Sequence, residues 1–297
     1  MVSIIIRTYN EEKYLTELLE LISKQNFSDF EIVIVDSGSI DNTLNICKNF
    51  KKKPLKIIHI KKSDFSFGKS LNLGIEESNG EFCTFVSGHC LPRDDNWLKN
   101  TIKHFKDSSV GIVYGKQIGD RNTKISEHVI FSKWFLDIDV IYQENNFCNN
   151  ANCTIRKKIW LNKKYDEYIT GLEDIKFADY HQKQGIKINY ASDSIVYHIH
   201  DETYKKIFNR YKRESITYSS LYNNEIFNFK HFIFFSIKNI VNDIIKMKKI
   251  KNNNEISKKY VHLVCSIIKF RLSQFYGTYK GYRYTKNNNN LRKKFYY

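Results

Sequence analysis

The chain opens with VSIIIR (Val2 to Arg7), a continuous β-branched apolar run. Residues Glu11 to Lys24 follow, with Tyr14, Leu15, Leu18, Leu19 and Ile22 at the three- and four-residue spacing of a helix with one buried face. The alternation then repeats. EIVIVD (Glu31 to Asp36), LKIIHI (Leu55 to Ile60), EFCTFVS (Glu81 to Ser87) and SVGIVYGKQIG (Ser109 to Gly119) are further apolar runs. Helical spacing fills the gaps at Asp41 to Phe50, Lys69 to Ser78 and Asp94 to Phe105. Continuous runs predict strands buried on both faces. Strand–helix alternation predicts an α/β fold: a doubly wound parallel sheet with helices on both faces.

The second half reads differently. Asn145 to Thr154 is polar and small, Glu173 to Gln184 has helical spacing, and INYASDSIVYHIH (Ile188 to His200) predicts one or two strands. Helices are expected at Tyr204 to Leu221, Phe229 to Lys248 and Ile256 to Tyr276. The expected organisation is a catalytic α/β domain over 1–203 and a helical region over 204–297. The end of that region, with Asn287 to Asn290 and RKKFYY, is expected to be a flexible basic tail. Phe229, Ile233, Ile237, Ile240, Ile244 and Met247 share one helical stripe. The favoured reading packs that stripe against neighbouring helices. The alternative lays it on a membrane surface.

Composition narrows the class. At 297 residues, 41% hydrophobic and 27% charged, the chain is globular rather than disordered. The net charge of +16 favours anionic partners, discounted for a lysine- and asparagine-rich background. Basic and aromatic residues are scattered rather than interleaved on one face, so nucleic acid is not the expected partner, although a basic nucleic-acid-binding protein is the alternative from another class. Six cysteines without a C-x-x-C pair exclude a zinc ribbon. Met1 leads straight into the first strand, and no apolar run approaches the about 20 residues of a spanning helix. The expectation is a cytoplasmic protein with reduced thiols, with the inner face of the plasma membrane as a further location.

In a doubly wound sheet, ligands collect at the carboxyl ends of the strands. Here those ends are Thr8-Tyr9-Asn10, Asp36-Ser37-Gly38 and Ser87-Gly88-His89, three polar exits in a row. Gly68-Lys69-Ser70 is not a P-loop, because Ser63 stands where its first glycine is needed. Asp41 suits a helix start. Asp36, a carboxylate at the mouth of a buried strand, needs compensation, and a ligand N–H or ribose hydroxyl would supply it. Glu173 and Asp174 open a helix, where the dipole alone favours them, and a general base is the sharper alternative. His198 and His200, two residues apart on a strand, are expected to face opposite ways.

In their order along the chain, these blocks resemble family 2 glycosyltransferases, which are inverting and use nucleotide sugars; the resemblance implies the GT-A fold, a Rossmann-like α/β fold with a doubly wound mixed, mostly parallel sheet, helices on both faces and a C-terminal helical extension. The matching residues are VSIIIRTYNEEKYL, EIVIVDSGSIDNT, FGKSLNLGIEESNGEFCTFVSGHCLP, CNNANCTIRKKIW, GLEDIKFADYHQKQGIKINY and VYHIH, over roughly residues 1 to 205. The resemblance implies transfer of a sugar from a nucleotide-sugar donor to a hydroxyl of a growing surface glycan such as capsule or O-antigen, free or lipid-linked. It places Thr8, Asn10, Glu11, Asp36, Ser39 and Asp41 along the nucleotide pocket, with Lys69, Asn72, Ser87 and Gly88 near the donor. Asn149, Asn150 and Asn152 fall on the sugar and acceptor side. Asp174 becomes the catalytic base with Glu173 beside it, and His198 matches a metal-binding position of some members.

One departure stands out. The family's Asp-x-Asp, which holds Mg²⁺ or Mn²⁺ on the donor diphosphate, is Ser87-Gly88-His89 here. The departing diphosphate still needs positive charge beside it. His89, with or without His198, could hold a divalent cation such as Mn²⁺. Basic side chains such as Lys69, Arg93, Arg156 or Arg210 could replace the metal. A catalytically inactive partner subunit is the third alternative. Of the pair His89-Cys90, the histidine is expected to face the diphosphate and the cysteine to be packing.

Overall fold

The structure is a computed structural model that describes residues 1–222 and 225–284. The predicted tail at Asn287 to Asn290 and RKKFYY lies outside the described residues. The chain divides into two compact units. The first comprises Met1–Ile118, Phe135–Tyr168 and Glu173–His198; the second comprises Gly119–Trp134, Ile169–Leu172 and the chain from Ile199.

The first unit is built on one eight-stranded sheet in the order β3-β2-β1-β4-β7-β6-β8-β5. Its strands are β1 (Val2–Thr8), β2 (Phe30–Asp36), β3 (Leu55–His59), β4 (Phe82–Ser87), β5 (Cys90–Pro92), β6 (Val110–Ile118), β7 (Asn152–Arg156) and β8 (Lys187–His198). The four leading strands pair in parallel, as do β6 and β8, whereas β7 runs antiparallel to β4 and β6, and β5 antiparallel to β8. The sheet is thus mixed and mostly parallel, as the family resemblance implies; the run pattern alone predicts a parallel sheet. Six of the seven β1 residues are buried, which is why that run lacks polar alternation.

Helices α1 (Glu12–Ser23), α2 (Thr43–Asn49), α3 (Phe67–Glu76) and α4 (Trp97–Ile102) link these strands. α1 buries Leu15, Leu18, Leu19 and Ile22, the stripe seen in the sequence. α3 is capped by Ser66, whose hydroxyl accepts from the Lys69 amide.

Three features of this unit escaped the periodicity. After β4 the chain turns at Gly88-His89 and re-enters the sheet as β5, opposite His198. The polar stretch before Thr154 runs into β7, a wholly buried strand in which the Thr154 hydroxyl pairs with that of Thr84 across the β4 ladder at 2.8 Å. The segment expected as one or two strands is one, β8, whose register against β6 jumps between Gly115–Ala191 and Lys116–Ile195. The extra residues form a bulge.

The second unit holds α5 (Ile125–Trp134), α8 (Tyr204–Leu221), α9 (Phe229–Asn253) and α10 (Tyr260–Tyr282). The first unit contains the remaining helices, α6 (Lys157–Asn162) and α7 (Glu173–Lys183). Ile125, Met247, Ile256, Leu263 and Ile267 form a core of the second unit, and Ile240 packs on it. Buried Arg271 and Asp243 join α10 to α9 through two parallel bonds of 2.7 and 2.8 Å.

The α9 stripe corrects the favoured reading. Met247 is buried, but Phe229, Ile233, Ile237 and Ile244 are exposed. The packed face is instead that of Ser236, Ile240, Asp243 and Met247. Among the described residues, no helix is long and apolar enough to cross a membrane.

Candidate active site

The carboxyl ends of β1 and β2 are tied together by a polar network. The Asp36 carboxylate is fully buried and accepts four bonds. Its Oδ1 takes the amides of Gly38 and Ser39, each at 3.0 Å; its Oδ2 takes the hydroxyls of Thr8 at 3.1 Å and Ser39 at 2.5 Å. Those four bonds fill the carboxylate's acceptor positions. The compensation expected from a ligand therefore comes from the chain itself, and a ligand donor reaches Asp36 only by displacing a hydroxyl. Asn10 adopts φ 57°, a left-handed conformation that asparagine tolerates. Its amide donates to Ser39 Oγ, and its Oδ1 accepts from the Ile40 amide. Asp41 accepts from the amides of Thr43 and Glu12, which fixes the start of α2 against α1.

His89 sits beside this network. Its Nδ1 lies 2.8 Å from Glu11 Oε1. An ionised carboxylate only accepts, so Nδ1–H is the donor in this contact. Gly88 permits the approach, since a Cβ there would meet Glu11 Cγ at 2.7 Å. His198 is arranged alike, with Nδ1 2.6 Å from the Gln117 carbonyl oxygen. The two imidazoles stack with centroids 5.2 Å apart and planes 27° apart, and a ring nitrogen of each lies within 4.8 Å of one on the other. His200 follows the strand's end rather than alternating on it; it belongs to the second unit, where Nδ1 contacts Glu127 at 2.8 Å. Cys90 is buried in β5, and burial pushes its thiol well above the ordinary cysteine range, the reverse of what a nucleophile needs.

Glu173 and Asp174 begin α7. Glu173 is buried, and its Oε1 lies 3.6 Å from Nη1 of Arg7, a guanidinium that also covers the Phe67 ring. Asp174 is half-buried. Its Oδ1 accepts from the Ile175 amide at 2.8 Å and its Oδ2 from the Asn150 amide at 3.3 Å. Desolvation, with the Glu173 charge second, pushes the Asp174 carboxyl up to about 7; the two amides and Arg7 pull the other way without cancelling it. The buried Asn150 side chain accepts from the Tyr165 hydroxyl at 3.4 Å and leaves its Nδ2 unpartnered. Tyr165 stacks on Phe177, one turn along α7, with centroids 4.1 Å apart. Asn149 is half-buried, and its Oδ1 accepts from the Ala151 amide.

Three residues expected at the site are framework instead. Asn72 is buried, donates to Tyr165 O and Glu167, and accepts from the Trp160 indole and the Tyr165 amide. Asn152 is buried, accepts from the Trp97 indole, and donates to the carbonyls of Lys116 and Ser194. Neither has a polar atom left for a sugar. Arg156 is also committed inward, to the carbonyls of Val110, Phe105 and Asp107 and to Glu81, so it is no substitute for a metal. Of the other basic candidates, Arg93 pairs with Asp94, and Arg210 pairs with Glu127 and Glu202 in the second unit. Ser87 and Lys69 remain half-buried, at the end of β4 and in the first turn of α3.

The sequence reading did not single out Arg7, Gln117 or Tyr165. Arg7 carried a signal, a lone charge inside an apolar run. Gln117 carried a weaker one, a neutral polar side chain next to Lys116 in β6. Tyr165 carried none.

The profile described as "Glycosyl transferase family 2" matches residues 3–165, more than half of the chain. The O-antigen chain rhamnosyltransferase RfbN of Salmonella typhimurium is 24% identical over 223 residues, covering 71% of this chain and 70% of the relative. The poly(ribitol-phosphate) beta-N-acetylglucosaminyltransferase TarS of Staphylococcus aureus is 39% identical over 104 residues, which are 34% of this chain and only 17% of TarS. Among solved structures, the mannosyltransferase PcManGT of Pyrobaculum calidifontis, in complex with GDP-Man and Mn²⁺, aligns with a TM-score of 0.61 and 14% identity over 92% of this chain and 85% of that one. S. aureus TarS 1-349 in complex with UDP-GlcNAc aligns at 0.56 and 20% identity, over 92% and 72%. At such identities the solved structures establish the shared fold, while the profile establishes descent. The chain belongs to glycosyl transferase family 2, with the GT-A fold, and is a glycosyltransferase.

Proposed function

We propose that the protein is an inverting glycosyltransferase that moves a sugar from a nucleoside diphosphate sugar to a hydroxyl of a growing surface glycan. The observation that carries this reading is Asp174, a half-buried carboxyl held by two amides, with its pKa raised to about 7. Such a group takes a proton near neutral pH more readily than an ordinary aspartate. Glu173 lies opposite the Arg7 guanidinium, whereas among the described residues no cationic side chain holds Asp174 by a hydrogen bond. In the reaction the acceptor oxygen attacks the anomeric carbon as its proton passes to Asp174. The bond from that carbon to the diphosphate oxygen breaks, and configuration inverts because attack and departure lie on opposite faces.

The donor reading draws support from GDP-Man in PcManGT and UDP-GlcNAc in TarS, both nucleoside diphosphate sugars. Thr8, Asn10, Ser39 and Asp41 would shape the nucleotide pocket around Asp36, and Asn149 and Asn150 the acceptor side. The acceptor reading draws on RfbN and TarS, which are named for an O-antigen chain and a poly(ribitol-phosphate). All six cysteines are unpaired, which fits a reducing compartment such as the cytoplasm.

A divalent cation fits the residues at the donor end. His89 and His198 each direct Nδ1–H to an oxygen acceptor, Glu11 and Gln117, the outer-shell bond that commonly orients a metal-ligating imidazole. Imidazoles suit Mn²⁺ better than Mg²⁺. A cation there would offset charge on the departing diphosphate.

Asp174→Asn keeps the side chain's size and removes the base. Transfer should fall by two orders of magnitude or more, about what general-base catalysis contributes, with donor affinity retained. Wild-type turnover in that variant would overturn the assignment.

A further inference from the structure

α9 and α10 each carry two apolar faces, and only one of each is packed. On α9, Ile233, Ile237, Val241, Ile244 and Ile245 recur at three- and four-residue steps and are exposed, Ile237 to 59% and Ile245 to 74%. They occupy the arc beside the packed face of Ser236, Asp243 and Met247. On α10, Val261, Cys265, Ile268, Leu272 and Tyr276 form an exposed stripe, with Val261 at 73%. Its opposite face, with Leu263, Ile267, Phe270 and Gln274, is buried. A helix needs one apolar face to hold its fold, so the second faces have another use.

The charge around these stripes identifies the occupant. Residues 226–284 contain ten lysines and two arginines but only two acids, Asp243 and Glu255. Asp243 is buried and neutralised by Arg271. Lys238, Lys246, Lys248 and Lys249 are exposed along α9 among the isoleucines. A second copy of the same face would bring these lysines against one another, and lysine is depleted in protein interfaces. Both helices are long enough to span a bilayer but not apolar enough. An anionic lipid surface answers both requirements, taking the isoleucines into its headgroup boundary and the lysines onto its charge.

We propose that α9, with the exposed stripe of α10, is a surface-binding device for anionic membrane, with the apolar arc inserted and the lysines at the headgroups. This does not depend on the catalytic reading, since no site residue is involved.

The test uses the full chain and vesicles of phosphatidylcholine with or without phosphatidylglycerol, read by flotation. Binding is expected only with phosphatidylglycerol and should weaken as salt rises. Ile237→Glu with Ile245→Glu should abolish it, because two charges then enter the inserted face. Lys248→Gln with Lys249→Gln should weaken it roughly thirtyfold, at about 1 kcal/mol per lysine. All four positions are exposed, so unchanged helicity and melting temperature verify the fold. Failure to float with anionic vesicles would overturn the proposal, as would binding that survives the paired glutamates. A dimer in solution that dissociates in the glutamate variant would assign the face to a second copy instead.

Discussion

At the scale of single residues, the proposed chemistry turns on how two neighbouring carboxylates are treated. Glu173 meets a guanidinium, while Asp174 meets two amides and a low-dielectric surround. A base of pKa about 7 makes kcat/KM rise with pH through neutrality and level off above it. A profile flat from pH 5 to about 9 would remove Asp174 from that role. The same shift has a stability consequence of fixed sign. The folded pKa lies above the ordinary 3.8, so the wild-type chain keeps full stability below that value and loses some as pH rises through about 7. Asp174→Asn escapes the loss. Relative to wild type it should gain roughly 1–2 kcal/mol between pH 5 and 8 in urea denaturation, the shift being discounted for the solvent edge of the carboxyl.

Legibility at this scale followed local signals. Asp174 was visible because an acidic pair opens a helix, and His89 because it ends an apolar run. The roles of Asn72 and Asn152 were not, because a buried amide and a ligand-binding amide look identical until their partners are counted. Arg7 was passed over for the converse reason, since its partner Glu173 lies far along the chain.

At the scale of elements, apolar runs marked β1 to β4 and β6 because parallel strands buried on both faces cannot afford polar alternation. β7 was missed because its interior positions are polar yet mutually satisfied, with Thr154 against Thr84 and Asn152 against the Trp97 indole. β5 was missed because three residues carry no period. The bulge in β8 leaves a mechanical signature. A Cβ on Gly115 would sit 2.3 Å from both Asn152 Nδ2 and Ser194 O, the latter being backbone that cannot move aside. Gly115→Ala is therefore expected to cost about 1–3 kcal/mol by forcing the β6–β8 register apart. Equilibrium unfolding measures it, and an unchanged midpoint would mean the bulge is softer than its contacts imply.

At the scale of the whole molecule, the two units have different logics. The first unit gathers Thr8, Asp36, Glu11, His89 and His198 through one sheet and its loops, so ligand binding there should also test the proposed cation. Nucleoside diphosphate at a hundredfold excess over its Kd should raise the melting temperature by roughly 5–10 °C. The rise should be larger with Mn²⁺ than with chelator, and His89→Ala should erase that difference. An equal rise under chelation would take His89 and His198 out of any ligand role and return the charge problem to lysine. The second unit is helical, basic on its exposed side, and joined within itself by the buried Arg271–Asp243 pair.

The sequence by itself determined the sheet's strand-forming runs, the helices after residue 203, the order of polar strand exits and the acidic start of α7. All of these are local patterns of burial and capping, set by residues near one another in the chain. Tertiary structure alone decided which polar side chains are spent on the framework, that Glu11 supports His89, and that the outer faces of α9 and α10 stay uncovered. Those outcomes depend on partners distant in sequence, and a hydrogen bond or a packed face is defined only once both sides are in place.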